Sequence, residues 1–263
     1  MPDIFDKYDR DTYIAWHQDN VEDIDFAASV AEVRDELKKT SQNKLNTLAQ
    51  LLVQIKERTE PECRVQSKGL LVGEFQLPTK SFSETSSAEG YDQLFKSVDS
   101  IIEKIWRKNA KRKTDYVSIE SLKSEITDLV RTSVVCPTLQ HAEMFTERLK
   151  VWSEFLPKED VEEHFSTIAK IDVDHEAKPA SGYFAYHVLV YFTDGVAIEV
   201  QFYSLLSSAW RNMSHKLYEK TRVGSSPFMG PGTPEARLIS LGHMLHLAEF
   251  ELNRLTDDLK KSI

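Results

Sequence analysis

At 263 residues, with 41% apolar side chains, the chain is long enough to bury a proper core as one large domain or a domain with a helical extension. A formal net charge of -9 argues against general affinity for nucleic acid while leaving room for a local basic patch. No run approaches the roughly 20 apolar residues of a membrane span, the start Met1-Pro2-Asp3-Ile4-Phe5-Asp6-Lys7 lacks the basic-then-apolar order of a signal peptide, and Cys63 and Cys136 are too few for a disulfide framework. A cytoplasmic protein with two plain thiols and no membrane partner is expected.

Residues 10 to 58 read as helical, because Val30, Val33 and Leu37, then Leu45, Leu48, Leu52 and Ile55 recur at helical spacing. The period is lost over 59 to 92, where Leu70-Leu71-Val72 suits a short strand and 81 to 90 is turn-rich, so a boundary is placed there. The pattern predicts a helix over 92 to 110 and another near 117 to 125, then a strand over 127 to 136 opened by Asp128. Thr138 to Phe155 reads as helix, and 165 to 174 as a strand that ends in the loop Lys178-Pro179-Ala180-Ser181. A hairpin spans 182 to 203, a helix Leu205 to Arg222 and a loop Gly224 to Gly232; Thr233-Pro234-Glu235 caps a final helix.

The hairpin is the most informative segment, because it sets Glu199 in an otherwise apolar strand, and a buried carboxylate needs a cation, a metal or a catalytic task. The connection Thr193-Asp194-Gly195 suits a three-residue loop closed by a left-handed glycine. That register pairs Phe192 with Val196, Leu189 with Glu199 and His187 with Gln201, so that Tyr183, His187, Glu199 and Gln201 share one face. A two-residue Asp-Gly turn would shift the pairing by one and separate His187 from Glu199.

Upstream, Lys96, Ser100, Lys104 and Arg107 form one helical stripe, apart from the apolar stripe Val98, Ile101 and Ile105. Lysine, serine and arginine at that spacing suit phosphate oxygens, although a solvated basic face has the same pattern. Asp128 either caps its strand or joins Glu199 as the pair of carboxylates that holds a hydrated magnesium ion. Asp172, Asp174, His175 and Glu176 are split across strand faces by alternation, and His243 and His246 lie among leucines, so neither group reads as a metal site.

Together these segments resemble the synthetase domain of the RelA/SpoT family, the alarmone synthetases, over about 94 to 222. The family helix Arg-x-Lys-x-x-x-Ser-x-x-x-Lys is similar to Leu94 through Lys104, with Leu94 in place of the arginine. The metal strand Asp-apolar-apolar appears as Asp128-Leu129-Val130, continuing with Arg131-Thr132-Ser133 where the family has Gly-x-Arg. The acceptor loop keeps Gly182, Tyr183 and His187 but has Phe184 for arginine. The Val-Glu-x-Gln strand is Ile198-Glu199-Val200-Gln201, and the following helix keeps Trp210, His215 and Tyr218, with Glu219 for lysine.

The resemblance implies an α+β, nucleotidyltransferase-like mixed sheet flanked by helices, with an N-terminal helical extension and a C-terminal helix. It divides the chain into a helical region with a loop (1–90), a synthetase domain (91–223) and a loop with a final helix packed on it (224–263). It implies transfer of pyrophosphate from ATP to the 3′-hydroxyl of GTP or GDP, giving an alarmone and AMP, with magnesium on Asp128 and Glu199. Lys96, Ser100, Lys104 and Arg107 would bind ATP; Tyr183, His187, Gln201 and Arg131 would bind the acceptor. Glu199 would share the metal or take the hydroxyl proton. The lost arginines keep two alternatives open: a toxin-type enzyme acting on the 3′ end of tRNA, for which Lys104, Arg107, Lys108, Lys111, Arg112 and Lys113 form a candidate basic surface, and an inactive nucleotide-sensing module. An antitoxin or a second copy of the chain is a candidate partner. The absence of a His-Asp dipeptide implies no alarmone hydrolysis.

Overall fold

Four strands form a mixed sheet in the order β1-β4-β3-β2. A computed structural model describes residues 4–66, 73–78, 88–178, 182–221, 230 and 232–262. Its strands are β1 (Val130–Cys136), β2 (Ile168–Lys178), β3 (Tyr183–Phe192) and β4 (Ala197–Ser204). β1 runs parallel to β4, and the other neighbours are antiparallel. The hairpin has the three-residue register: Leu189 pairs with Glu199 and His187 with Gln201. Phe192 N–H donates to the Val196 carbonyl at 2.9 Å, and Gly195 closes the turn at φ +85°, a left-handed value that glycine adopts without strain.

Alternation gives the sheet two different faces. Val130 and Val134 of β1, Ile198, Val200 and Phe202 of β4, and Val188 and Val190 of β3 are buried on one side. Helix α7 (Leu139–Lys150) packs there through Ala142, Phe145 and Leu149, and Thr138 caps it by accepting from the His141 N–H. The opposite face carries Arg131, Glu199, Gln201, Tyr203, His187 and Tyr183.

The helical N-terminal stretch divides into α1 (Arg10–Asn20), α2 (Phe26–Thr40) and α3 (Gln42–Gln66), with Asp9 and Asp25 capping the first two. The expected loss of helical period at 59 is corrected, since α3 continues through Pro61. Buried Thr59 and Cys63 extend the face begun by Leu48, Leu52 and Ile55, and this packing outweighs the hydrogen bond that proline removes. Both cysteines are free thiols; burial is the main cause that lifts Cys63 to about 11. The core is continuous from Tyr13 through Leu52 and Ile101 to Phe202, so the N-terminal helices and the sheet share it.

His17 of α1 is wholly buried, stacked on Phe26 with ring centroids 3.7 Å apart, and its Nε2 lies 2.9 Å from the Val117 carbonyl. Its Nδ1 has no hydrogen-bond partner. Burial depresses its pKa below 6.5, with Val117 and Glu22 offsetting in part. A base whose folded pKa is depressed binds fewer protons in the native state, so stability present above pH 6.5 is lost as pH falls through that value. His141, depressed chiefly by burial, adds in the same direction. The urea midpoint should fall between pH 7 and pH 5.5, His17 contributing at most about 1.4 kcal/mol per pH unit, and His17→Phe should flatten the slope.

The remaining helices are α4 (Ala88–Asp92), α5 (Val98–Asn109), α6 (Leu122–Glu125), α8 (Trp152–Phe155), α9 (Lys158–His164), α10 (Leu205–Thr221) and α11 (Pro234–Ser262). Five expectations need correction. The helix over 92 to 110 is interrupted, because Ser97 caps α5 and the segment before it pairs with the edge of β1. The helix near 117 to 125 shrinks to the single turn α6. The strand at 127 to 136 begins only at Val130, leaving Asp128 two residues before it. The helix from Thr138 to Phe155 breaks at Val151, and the strand at 165 to 174 lies instead at 168 to 178.

Thr233 and Pro234 open α11 as expected, with Thr233 Oγ1 accepting from the Ala236 N–H. Gly242 lets this helix cross the start of β3: a Cβ there would lie 2.4 Å from the Gly182 carbonyl oxygen. Leu70 to Val72, most of the 81 to 90 loop, 179 to 181 and most of the 224 to 232 loop lie outside the described residues.

Candidate active site

The polar face is built outward from β4. Glu199, Gln201 and Tyr203 alternate along it and lie side by side. Gln201 Nε2 donates to Glu199 Oε1, and the Tyr203 hydroxyl donates to Gln201 Oε1 at 2.6 Å. From β3, the Tyr183 hydroxyl lies 2.9 Å from the Tyr203 hydroxyl and 2.7 Å from His187 Nε2. His187 Nδ1 stands 3.6 Å from Glu199 Oε2, a charge contact too long for a hydrogen bond. The four residues expected to converge do so. Tyr203, which sequence reasoning missed, joins their hydroxyl, amide and carboxylate groups into one network.

Glu199 is 8% exposed. Burial, the largest influence, raises its pKa and Asp128 adds to that, but His187 and Gln201 outweigh both and leave it below the ordinary carboxylate value. Glu199 is therefore ionised at neutral pH.

Asp128 reaches the same region from the turn before β1. Its Oδ2 accepts from Lys96 Nζ at 2.8 Å, and Lys104 Nζ lies 2.8 Å from Oδ1. The second contact lacks hydrogen-bond direction, so Oδ1 is buried with a charge partner but no donor. Burial raises the Asp128 pKa, and the two ammonium groups reverse this, holding it near 2. Lys96 is pulled below its ordinary value by burial despite Asp128. One carboxylate shared between two lysines compensates each only in part, so both directions follow from the same geometry.

Lys96 is not on the helical stripe read from the sequence, because it precedes the α5 cap. Its backbone fixes it instead: Lys96 N–H donates to the Leu129 carbonyl at 2.9 Å, and Arg34 of α2 donates to the Lys96 carbonyl at 3.0 Å. Arg34 and Lys38 also hold Asp92, each at 2.8 Å. The N-terminal helices thus position a lysine of the site. Ser100 lies in the first turn of α5, bonded to Ser97. Arg107, three residues beyond Lys104 on α5, has a side chain that is 54% exposed and pairs with Glu103 at 3.9 Å. Arg131 pairs with Glu199 across the parallel strands, so its side chain projects from the same face. That side chain forms no hydrogen bond or ion pair among the described residues, while the Arg131 N–H donates to the Leu94 carbonyl at 2.8 Å.

Phe184, in the position of the family's arginine, points to the other side of β3 and stacks on His246 of α11 at 3.7 Å. The packing role expected for His246 is what it has. The side chains of His215, Tyr218 and Glu219, and those of His175 and Glu176, lie outside the described residues. Lys108 and Arg112 of the basic cluster both pair with Glu125, at 3.1 and 2.7 Å. A cleft of about 630 Å³ between α10 and α11, lined by Met213, Leu217, Leu238 and Met244, lies away from the carboxylates. Polar chemistry rather than cavity size marks the site.

Asp128 and Glu199 fit a small hard cation. Both supply hard carboxylate oxygens, and the two carboxylates sense each other electrostatically. Among the described residues no three His, Cys, Asp or Glu side chains converge on one metal position. A pair of carboxylates with substrate phosphates completing the shell is a magnesium pattern, not that of a closed protein cage.

Residues 94–223 match the family described as a region found in RelA / SpoT proteins. Residues 94–223 are therefore a region of the RelA/SpoT type. Among solved structures, a GTP pyrophosphokinase family protein from Streptococcus pneumoniae is 18% identical, with 92% of this chain and 97% of that chain covered and a TM-score of 0.48. Small alarmone synthetase 1 from Bacillus subtilis, bound to its product pppGpp, is 19% identical, with 64% and 76% covered and a TM-score of 0.43. Small alarmone synthetase 2 from the same organism is 14% identical, with 85% and 100% covered and a TM-score of 0.40. No curated protein sequence matches the chain. Among the described residues no helix is long and apolar enough to cross a membrane.

Proposed function

We propose that this protein transfers the β,γ-pyrophosphate of ATP to the 3′-hydroxyl of GTP or GDP, releasing AMP. The observation that carries this reading is the buried Asp128, held between Lys96 and Lys104 and beside Glu199 on a polar sheet face. The acceptor oxygen attacks the β-phosphorus, the bond from that phosphorus to the oxygen bridging to the α-phosphate breaks, and the bridging oxygen leaves with AMP.

Lys96, Lys104 and Ser100 bind the ATP phosphates, cancelling charge that repels the incoming oxygen. In the free protein the two lysines neutralise Asp128; Lys104, whose side chain is 26% exposed, has room to turn to a phosphate. Asp128 and Glu199 would hold magnesium, which would supply charge neutralisation at the transferring phosphates. Glu199, ionised and buried, also accepts the 3′-hydroxyl proton. Tyr183 stacks on the acceptor base, with its hydroxyl fixed by His187 and Tyr203. The N-terminal helices serve as scaffold for Lys96, and α11 packs on the synthetase domain. Arg107, exposed on the same helix, stands in reserve for the outer phosphate. The tRNA alternative draws less support, since Glu125 offsets part of the charge of Lys108 and Arg112.

The test offers γ-labelled ATP with GTP, GDP, ATP and bulk tRNA in parallel. Label entering GTP or GDP, with AMP in equal amount, is expected. A protein that forms no AMP with any acceptor is not a pyrophosphokinase.

A further inference from the structure

Lys96, Lys104 and Arg131 gather at the Asp128 end of the polar face, and Arg211 of α10 stands at its other end. The Arg211 guanidinium carbon lies 5.0 Å from the centroid of the Tyr203 ring, and its Nε is buried without a hydrogen-bond partner. Tyr203, 1% exposed, bonds directly to both Tyr183 and Gln201, so the cation adjoins the proposed acceptor network. Trp210, the preceding residue, meets the Tyr183 ring and anchors to the Leu238 carbonyl of α11 at 2.8 Å, which fixes this turn of α10 against the sheet. A buried guanidinium nitrogen with no acceptor is costly unless an anion completes it. Meanwhile β3 offers no arginine here, because Phe184 points away onto His246.

We infer that Arg211 holds the 5′-phosphate chain of the acceptor and thereby selects a free nucleoside 5′-di- or triphosphate. This rests on the proposed transfer reaction. Glu199 and Tyr203 are four residues apart on β4, about 13 Å at roughly 3.3 Å per residue. A 3′-hydroxyl at Glu199 therefore leaves room for a phosphate chain to extend toward Arg211, and a single 5′-phosphate stops short of it. Arginine's planar fork suits such a chain while its face rests on Tyr203, an arrangement that lysine reproduces only as a point charge.

The experiment measures AMP release with GTP, GDP and GMP for the wild type, Arg211→Lys and Arg211→Ala, together with equilibrium titrations of the same nucleotides and of guanosine. The wild type should prefer GTP and GDP to GMP. Arg211→Ala should raise the KM for GTP about tenfold or more, leave the KM for ATP within about twofold, and remove the preference over GMP; Arg211→Lys should fall between. An equal loss for all three acceptors, a raised KM for ATP, or preferred labelling of tRNA overturns the inference. If the wild type forms no AMP at all, the reaction fails, but the titrations still decide the contact: Arg211→Ala must then lose affinity for GTP and not for guanosine, and equal losses refute it.

Discussion

Replacing Glu199 by Gln is expected to lower AMP release by about 10²- to 10⁴-fold, the usual range for loss of a general base, while nucleotide binding changes by less than about threefold. The substitution is nearly isosteric. Its amide oxygen can still accept from Gln201 Nε2, so the Gln201–Tyr203–Tyr183 chain stays assembled. What disappears is the negative charge, and with it both the proton acceptor and one of two carboxylates for the cation. Stability should fall slightly, because His187 and Gln201 outweigh burial in the folded protein and favour the charge that the amide lacks. Equilibrium titration with ATP and GTP, single-turnover AMP release and a urea curve on the same sample separate these effects. AMP release within about threefold of wild type would remove Glu199 from the chemistry.

The hairpin explains why part of this site was legible. Loop length, one glycine and period-two alternation are local signals, and together they fix the Leu189–Glu199 and His187–Gln201 pairs. The same alternation, carried two residues further, reaches Tyr203, so that omission had a readable signal. Lys96 is different: its chemistry was visible, but its backbone position depends on pairing with Leu129 and support from Arg34, contacts 33 and 62 residues away in sequence. Helical periodicity alone extended α5 over it. Arg211 had no local signal at all, since one arginine on an amphipathic helix reads as solvated until Tyr203 is placed beneath it. The continuation of α3 through Pro61 likewise depends on packing that local rules weigh against.

Asp128→Ala should be the most destabilising single change at the site. Lys96 is 8% exposed and Asp128 is the carboxylate that accepts from it, so the truncation leaves a buried ammonium without its anion. Breaking one side of such a pair typically costs about 3–5 kcal/mol. Most of that cost comes from the stranded lysine and not from lost attraction, because two desolvated charges repay each other only partly. Asp128→Ala combined with Lys96→Met should therefore regain most of the stability, with methionine filling the volume of the lysine stem. It should not regain AMP release, since both a phosphate cation and a metal carboxylate are gone. Chemical denaturation of the two single variants and the double variant measures the coupling directly. An Asp128→Ala protein as stable as wild type would mean that Lys96 escapes to water once its partner is removed, and the buried pair would then lose its structural role while its proposed catalytic role stayed open to the AMP assay.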